Sequence, residues 1–212
     1  MSGPRLLVAT RSEHKLAEIR ELAGVPDLEL LSLLDIGLRP TPEEDGIECH
    51  DTFEANAEAK AEYFWELTGL PTLADDSGLC VDALGGGPGV RTKRFAPRKL
   101  ATELGRDAAN NRYLLERLDG VAPGERGAHY VCALAVAAGD DRIVVRGQVD
   151  GRIALEERGS GGFGYDPLFI VPEHDRTFGE LPVEAKATLS HRARAVEALR
   201  PWLVASVRES ER

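Results

Sequence analysis

An α/β fold is predicted by three observations. Strand-like apolar runs alternate with helix-like segments, the chain opens on a strand, a tight loop and a helix, and two strand-like runs around residues 128–151 read as an antiparallel pair. Leu6 to Ala9 is the first buried strand; Ser12 then stands at the N-cap of a helix to about Ala23, with Gly24 as its stop. Asp51 and Glu54, spaced like a capping box, start a second helix that places Phe53, Ala57, Ala61 and Phe64 on one face and ends at Gly69 and Pro71. Asn56 and Lys60 flank that stripe. A short apolar segment, Leu70 to Leu73, follows, and a third helix is expected over Leu100 to Leu118. A fourth begins after Ser190, with Ala195, Val196, Leu199 and Leu203 on its inner side and Pro201 kinking or shortening it.

Composition bounds the function. With 212 residues and 42% hydrophobic content the chain has enough apolar mass for one sizeable domain, with room for two lobes. A formal net charge of −10 argues against sequence-blind nucleic-acid binding, which needs a broad basic face to displace counterions from phosphates. Cys49, Cys80 and Cys132 are odd in number and include no CxxC pair, so neither a disulfide framework nor a zinc site is expected and a reducing, cytoplasmic setting is. Met1 leads into a short polar stretch without a signal-peptide pattern, and no apolar run reaches membrane-spanning length.

The densest chemistry lies in Ala74, Asp75, Asp76, Ser77 and Gly78. Adjacent carboxylates repel, so the pair reads either as a site for a hard cation or an activated water, or as an Asx-type turn whose side chains satisfy nearby N–H groups. Two helix starts carry cations where anions belong: Lys15 in the first, His191 and Arg192 in the last. Each costs about 0.3–1 kcal/mol beside the positive helix end unless an anion such as phosphate binds there; the alternative is long solvated side chains leaning away. Glu43, Glu44 and Asp45 form a second acidic patch that, with Asp75 and Asp76, suits magnesium, which takes a few carboxylates plus phosphate and water. As a lone run they read as a solvated loop. Gly159, Gly161 and Gly164 match GxGxxG formally, but Tyr165, Asp166 and Pro167 follow in place of a helix, so the stretch is a turn, with Phe163 either a stacking face for a base or an aromatic plug. Gly85 to Gly89 lacks the lysine and hydroxyl finish of a Walker A loop.

Taken together, Thr10, Ser12, Lys15; Glu44; Phe53, Glu54, Asn56, Ala57, Lys60; Ala74 to Gly78; Gly161 to Pro167; and Lys186, Ser190, His191, Arg192 resemble the noncanonical purine NTP pyrophosphatases, the inosine or xanthosine triphosphate pyrophosphatases of the Ham1-like family. The resemblance runs from Leu6 to about Leu199. It implies a single domain over residues 1–212, an elongated mixed β-sheet with flanking helices forming two lobes around a substrate cleft, and a cytoplasmic homodimer that binds neither nucleic acid nor membrane. The implied activity is magnesium-dependent hydrolysis of dITP, ITP and XTP to the monophosphate and pyrophosphate. By the same resemblance Thr10, Ser12, Lys15 and Lys60 are the phosphate-binding set, with Arg11 among the substrate contacts. Asp76 is the catalytic base and a metal ligand, Glu44 the second ligand, Ser77 a substrate contact and Asp75 its support. Phe163, Gly164, Tyr165, Asp166, Lys186, His191 and Arg192 recognise the purine. Ser12 stands where the family usually has asparagine, Thr92 to Phe95 replace a Ser-Ala-Arg-aromatic run, and the loop from Asp45 to Thr52 is longer than usual. A pyrophosphatase of altered base specificity and a non-enzymatic nucleotide sensor are the competing readings.

Overall fold

The computed structural model describes residues 3–210, and side chains to residue 208, so the chain start read above lies outside the described residues. Its first half alternates strand and helix: β1 (Arg5–Ala9), α1 (Glu13–Ala23), β2 (Glu29–Ser32), α2 (Phe53–Thr68) and β3 (Thr72–Val81). Then come α3 (Arg98–Leu104), α4 (Arg106–Arg117), β4 (Gly127–Ala138), β5 (Asp141–Ile153), β6 (Phe169–Val171), β7 (Arg176–Thr177), α5 (Val183–Leu189) and α6 (His191–Ser210). The strands form one mixed sheet of seven in the order β2-β1-β3-β4-β5-β6-β7. β1 is parallel to β2 and β3, with Leu7 opposite Thr72 and Ala9 opposite Ala74, while β5, β6 and β7 run antiparallel. Only Gly139 and Asp140 separate β4 from β5, a two-residue link that joins antiparallel neighbours, as the sequence predicts.

The chain divides into two compact units. The first takes in Met1–Asp76, Cys132–Gly147 and His191–Arg212. Its core packs Leu6 and Val8 of β1, Ile19 of α1, Leu73 of β3, Leu134 of β4 and Leu199 of α6. α1 starts where Ser12 accepts a hydrogen bond from the Lys15 N–H and stops at the left-handed Gly24. The bare Cα of Gly147 lets β5 meet the α6 backbone at His191 and Ala195, where a Cβ would collide.

The second unit holds Ser77–Val131 and Gln148–Ser190. Leu79, Leu114, Leu118, Tyr130, Phe169 and Phe178 form its core, the last two rings stacked with centroids 5.4 Å apart. Buried Arg126 holds the β4 approach by donating to the carbonyls of Leu118, Val121 and Ala154. The 159–164 glycine stretch is a turn between β5 and β6, as its sequence predicts.

Four local expectations are corrected. Asp75 to Gly78 do not lie beyond the short apolar segment but inside β3, which is buried along its whole length, so the open alternative of an Asx-type turn does not apply; their charges find partners described below. Thr52, not Asp51, caps α2: its hydroxyl accepts from the Ala55 N–H at 3.2 Å. The helix expected over Leu100 to Leu118 is two helices, α3 and α4, broken at Gly105, whose φ of 84° and ψ of 155° lie outside any helix. Nor does Pro201 shorten α6, which runs on to Ser210: burial of Ala195, Val196, Leu199 and Leu203 offsets the roughly 3 kcal/mol that an interior proline costs. Among the described residues no helix is long and apolar enough to cross a membrane.

Candidate functional site

A central strand buried on both faces tolerates apolar residues freely and charges only when they are matched. β3 nevertheless carries Asp75 and Asp76, 1% and 4% exposed, and alternation sends their side chains to opposite faces. Asp75 meets Lys15 Nζ at 2.7 Å and Arg192 Nη2 at 3.3 Å, and Arg192 also donates to Glu18. Burial opposes the Asp75 charge, but Lys15 and Arg192 outweigh it and hold the carboxyl well below the usual carboxylate range. The two helix starts with misplaced cations therefore face a built-in anion, the Asp75 carboxylate, which stabilises them in place of solvent.

Asp76 is treated differently. Its Oδ2 accepts from Asn56 Nδ2 at 3.0 Å, and burial, with the Glu48 charge adding to it, keeps its pKa above the ordinary aspartate value against the pull of Lys15 and Lys60. Asn56 also clasps the backbone of His50, accepting from its N–H at 2.9 Å and donating to its carbonyl at 3.3 Å. One turn along α2, Lys60 Nζ lies 2.5 Å from Glu48 Oε1 and donates to the Asp75 carbonyl. Asn56 and Lys60, both buried, thus turn one face of α2 toward the aspartates of β3.

Arg11 grips Glu44 with Nε at 2.9 Å and Nη2 at 2.6 Å, and reaches the Leu38 carbonyl at 2.6 Å. Glu44 further accepts from the Thr41 N–H in the capping box of a 3-10 turn, Pro42–Gly46. Both Glu44 oxygens are therefore engaged by Arg11, whereas Glu48 is the acidic side chain whose charge acts on Asp76. Thr10 Oγ1 accepts from the Ser12 N–H at 3.2 Å, shaping the loop ahead of α1. Among the described residues no three His, Cys, Asp or Glu side chains gather as a metal cluster. Asp76 and Glu48 are a like-charged pair, and a hard cation sharing them would relieve the burial and repulsion that raise Asp76; two carboxylates also fit magnesium, which keeps water and substrate oxygens as its remaining ligands.

His191 and Arg192, read as purine contacts, begin α6 in the first unit, and the Arg192 guanidinium is spent on Asp75 and Glu18. Ser77 follows Asp76 on β3 as the first residue of the second unit.

In that second unit the turn before β6 forms a separate constellation. Asp166 Oδ2 accepts from the Phe163 N–H at 2.8 Å and from Lys186 Nζ at 2.7 Å. Lys186 Nζ also lies over the Phe163 ring, 4.6 Å from its centroid. Gly162 has φ of 74°, and a Cβ there would strike the Asp166 carboxylate, so only glycine closes this turn. The Gly164 N–H donates to Asp107 Oδ2 at 3.1 Å and the Tyr165 hydroxyl to the Thr92 carbonyl at 2.8 Å; burial pushes the Tyr165 hydroxyl pKa up, keeping it a donor. The Lys186 ammonium of α5 is thereby held against an aromatic face and a carboxylate of the turn.

Sequence reasoning passed over Glu48, Asp107 and Asn110. Glu48 had a signal, since Glu48, Thr52, Asn56 and Lys60 recur every fourth residue into α2. Asp107 and Asn110 had none, because the Gly164 N–H lies 57 residues from Asp107, and the Thr92 carbonyl and Ala96 N–H lie 18 and 14 residues from Asn110.

The Ham1 family model matches residues 6–202. A Mycobacterium tuberculosis protein named dITP/XTP pyrophosphatase is 47% identical over 202 residues, covering 94% of this chain and 95% of its own. A Geobacter sulfurreducens protein of the same name is 46% identical over 200 residues, 94% of this chain and 96% of its own. A HAM1 protein from Coxiella burnetii superposes with a TM-score of 0.82 at 34% identity, covering 95% of this chain and 99% of that one. The Staphylococcus aureus Ham1 protein gives 0.80 at 32% identity over 98% and 100% of the two chains. A match that spans both the buried aspartates of β3 and the Phe163–Asp166 turn leaves one conclusion: this chain belongs to the Ham1 family.

Proposed function

We propose that this protein is a nucleoside triphosphate pyrophosphatase that hydrolyses dITP, ITP and XTP to the monophosphate and pyrophosphate. The observation that carries the reading is the unequal pair on β3: Asp75 locked ionised by Lys15 and Arg192, Asp76 with a raised pKa beside Asn56 and Glu48. A carboxylate whose pKa is raised is a better general base, and its neighbour's ion pairs keep its position fixed. Asp76 orients the attacking water and takes its proton as the bond to the α-phosphorus forms and the bond to the leaving pyrophosphate breaks. Asn56 holds the Asp76 carboxylate in line for that transfer. Thr10, Arg11, Ser12, Lys15 and Lys60 supply hydroxyl, amide and cationic donors for the phosphates.

Magnesium would be held by Asp76 and Glu48, rather than by Glu44 whose oxygens Arg11 engages, and when bound it neutralises charge on the phosphates. Phe163 stacks on the base, while Lys186 donates to a 6-oxo edge; adenine would put a donor where an acceptor is wanted. His191 and Arg192 act from the other side of this division of labour, Arg192 through Asp75. Relatives bearing the dITP/XTP pyrophosphatase name support the substrate class. The reading further makes the protein a cytoplasmic homodimer, which light scattering of the purified chain would check.

The test is an assay that separates pyrophosphate from orthophosphate with magnesium present. Pyrophosphate release from dITP and XTP at least about tenfold faster than from dATP and dGTP is expected. Equal rates on all four would remove the purine selectivity, and nucleotide binding without pyrophosphate release would make the protein a sensor.

A further inference from the structure

The Phe163–Asp166 turn is not self-supporting. Its Asp166 carboxylate closes it internally, but its orientation is set from α4 and from the 3-10 segment Gly89–Arg94. Asp107 Oδ2, in the first turn of α4, accepts from the Gly164 N–H at 3.1 Å, immediately after the aromatic residue. One turn further on, Asn110 is 5% exposed; its Oδ1 accepts from the Ala96 N–H at 2.9 Å and its Nδ2 donates to the Thr92 carbonyl at 3.2 Å. That same Thr92 carbonyl accepts from the Tyr165 hydroxyl at 2.8 Å. Thr92 Oγ1 in turn accepts from the Leu79 N–H of β3 at 3.3 Å, two residues beyond Ser77. So α4 reaches the turn twice, directly at Gly164 and through Thr92 at Tyr165, and the two attachments fall on the two residues that follow Phe163.

Asp107 suits the positive start of α4 on stability grounds alone, but Asn110 does not sit where stability alone would put it. Asn110 buries a side chain with two donors and an acceptor inside a helix, a position worth filling with an apolar residue unless its hydrogen bonds are needed. Asp107 shares its other oxygen with exposed Arg106, at 2.9 Å, a contact that contributes little by itself. Gly164 has φ of +63° with open space around its Cα, so the turn is free to pivot there unless its N–H is held.

We propose that Asp107 and Asn110 are positioning residues for base selection: by fixing Gly164 and Thr92 they set the plane of the Phe163 ring and the reach of Lys186, and so decide which purine edge is accepted. This deepens the proposed pyrophosphatase reading and rests on it. Both residues bond to the turn that carries Phe163 or to the carbonyl that holds Tyr165, so the effect is expected in base recognition.

The experiment compares Asp107→Ala and Asp107→Asn with the unchanged protein. Losing one hydrogen bond at the turn is expected to raise KM for dITP about 5-fold with kcat within about twofold, and to shrink the dITP-to-dGTP preference by a similar factor. Inhibition by dIMP should weaken in parallel while inhibition by inorganic pyrophosphate stays as it was. Asp107→Asn, which keeps an acceptor, should restore both KM and preference. Asn110→Asp, which keeps the acceptor for Ala96 and loses the donor to Thr92, should move preference in the same direction. An Asp107→Ala protein that unfolds at a lower temperature but keeps KM, base preference and dIMP inhibition would overturn the proposal, because a merely structural residue behaves so. If the unchanged protein releases no pyrophosphate from dITP, the functional reading itself fails, and dIMP binding by calorimetry still decides the positioning claim.

Discussion

The aspartate cluster of the first unit and the aromatic turn of the second reach rigidity by opposite means. Around β3, side chains are fixed by charge: Asp75, Lys15, Arg192 and Glu18 are matched in a buried network, and Lys60 bridges Glu48 and the strand backbone. Around Phe163, the backbone is fixed by hydrogen bonds, N–H groups going to Asp166 and Asp107 and a phenol to Thr92. The difference suits the two tasks proposed. Phosphate chemistry needs strong fields that do not relax, whereas base choice needs donors and a ring plane held to within a small angle.

Substitutions break this contrast to different degrees. The largest effect is expected for Asp76→Asn: turnover of dITP should fall about 10²–10⁴-fold while nucleotide binding persists. The sign of its stability effect is opposite to its neighbour's. A carboxyl whose folded pKa is raised loses folded-state stability as pH climbs through that value, so the neutral amide should increase the melting temperature at pH 7, measured by calorimetry. Asp75→Ala leaves Lys15 and Arg192 buried without their anion and should destabilise the fold by about 3–5 kcal/mol in denaturant unfolding. Because the Asp75 pKa is depressed, its stabilisation is present above the unfolded value near about pH 4 and lost below it; in the variant that acid-sensitive component of unfolding should vanish. If Asp75→Ala instead unfolds like the unchanged protein, charge does not hold the first unit.

A smaller effect separates the two acidic candidates: Glu48→Gln should weaken magnesium activation about 10-fold or more, and Glu44→Gln by far less, with titration calorimetry of the metal as the readout. Last comes a thiol count that leaves activity aside. Burial pushes the Cys132 thiol up to about 12, so at pH 8 it stays protonated and enclosed, and brief alkylation should label exposed Cys49 and spare Cys132 by mass spectrometry.

Much of the architecture was legible in the chain. The strand at Leu6 to Ala9, the Ser12 cap, the Gly24 stop and the Phe53 to Phe64 stripe are local signals, and all four stand in the structure, because caps and periodicity act within a few residues. Even the inverted cations at the starts of α1 and α6 were a true irregularity. Their partner was not legible: Asp75 lies 60 and 117 residues from Lys15 and Arg192, and only the fold brings it to both.

The same limit explains what else was not legible. An aspartate pair followed by serine and glycine favours a turn by local propensity, and β3 runs through it because buried cations offset the cost of two charges in a central strand. Glu44 was legible as a candidate metal acid from the denser acidic run, whereas its pairing with Arg11 and the action of the Glu48 charge on Asp76 were not. By itself the sequence determined the first strand, the ends of α1, the apolar stripe of α2, which motifs are present and the family they belong to, since those depend on residue type and short spacing. Tertiary structure alone decided which aspartate is locked ionised and which is raised, which glutamate stands beside it, and which helix holds the aromatic turn, because burial and charge pairing exist only once distant segments meet.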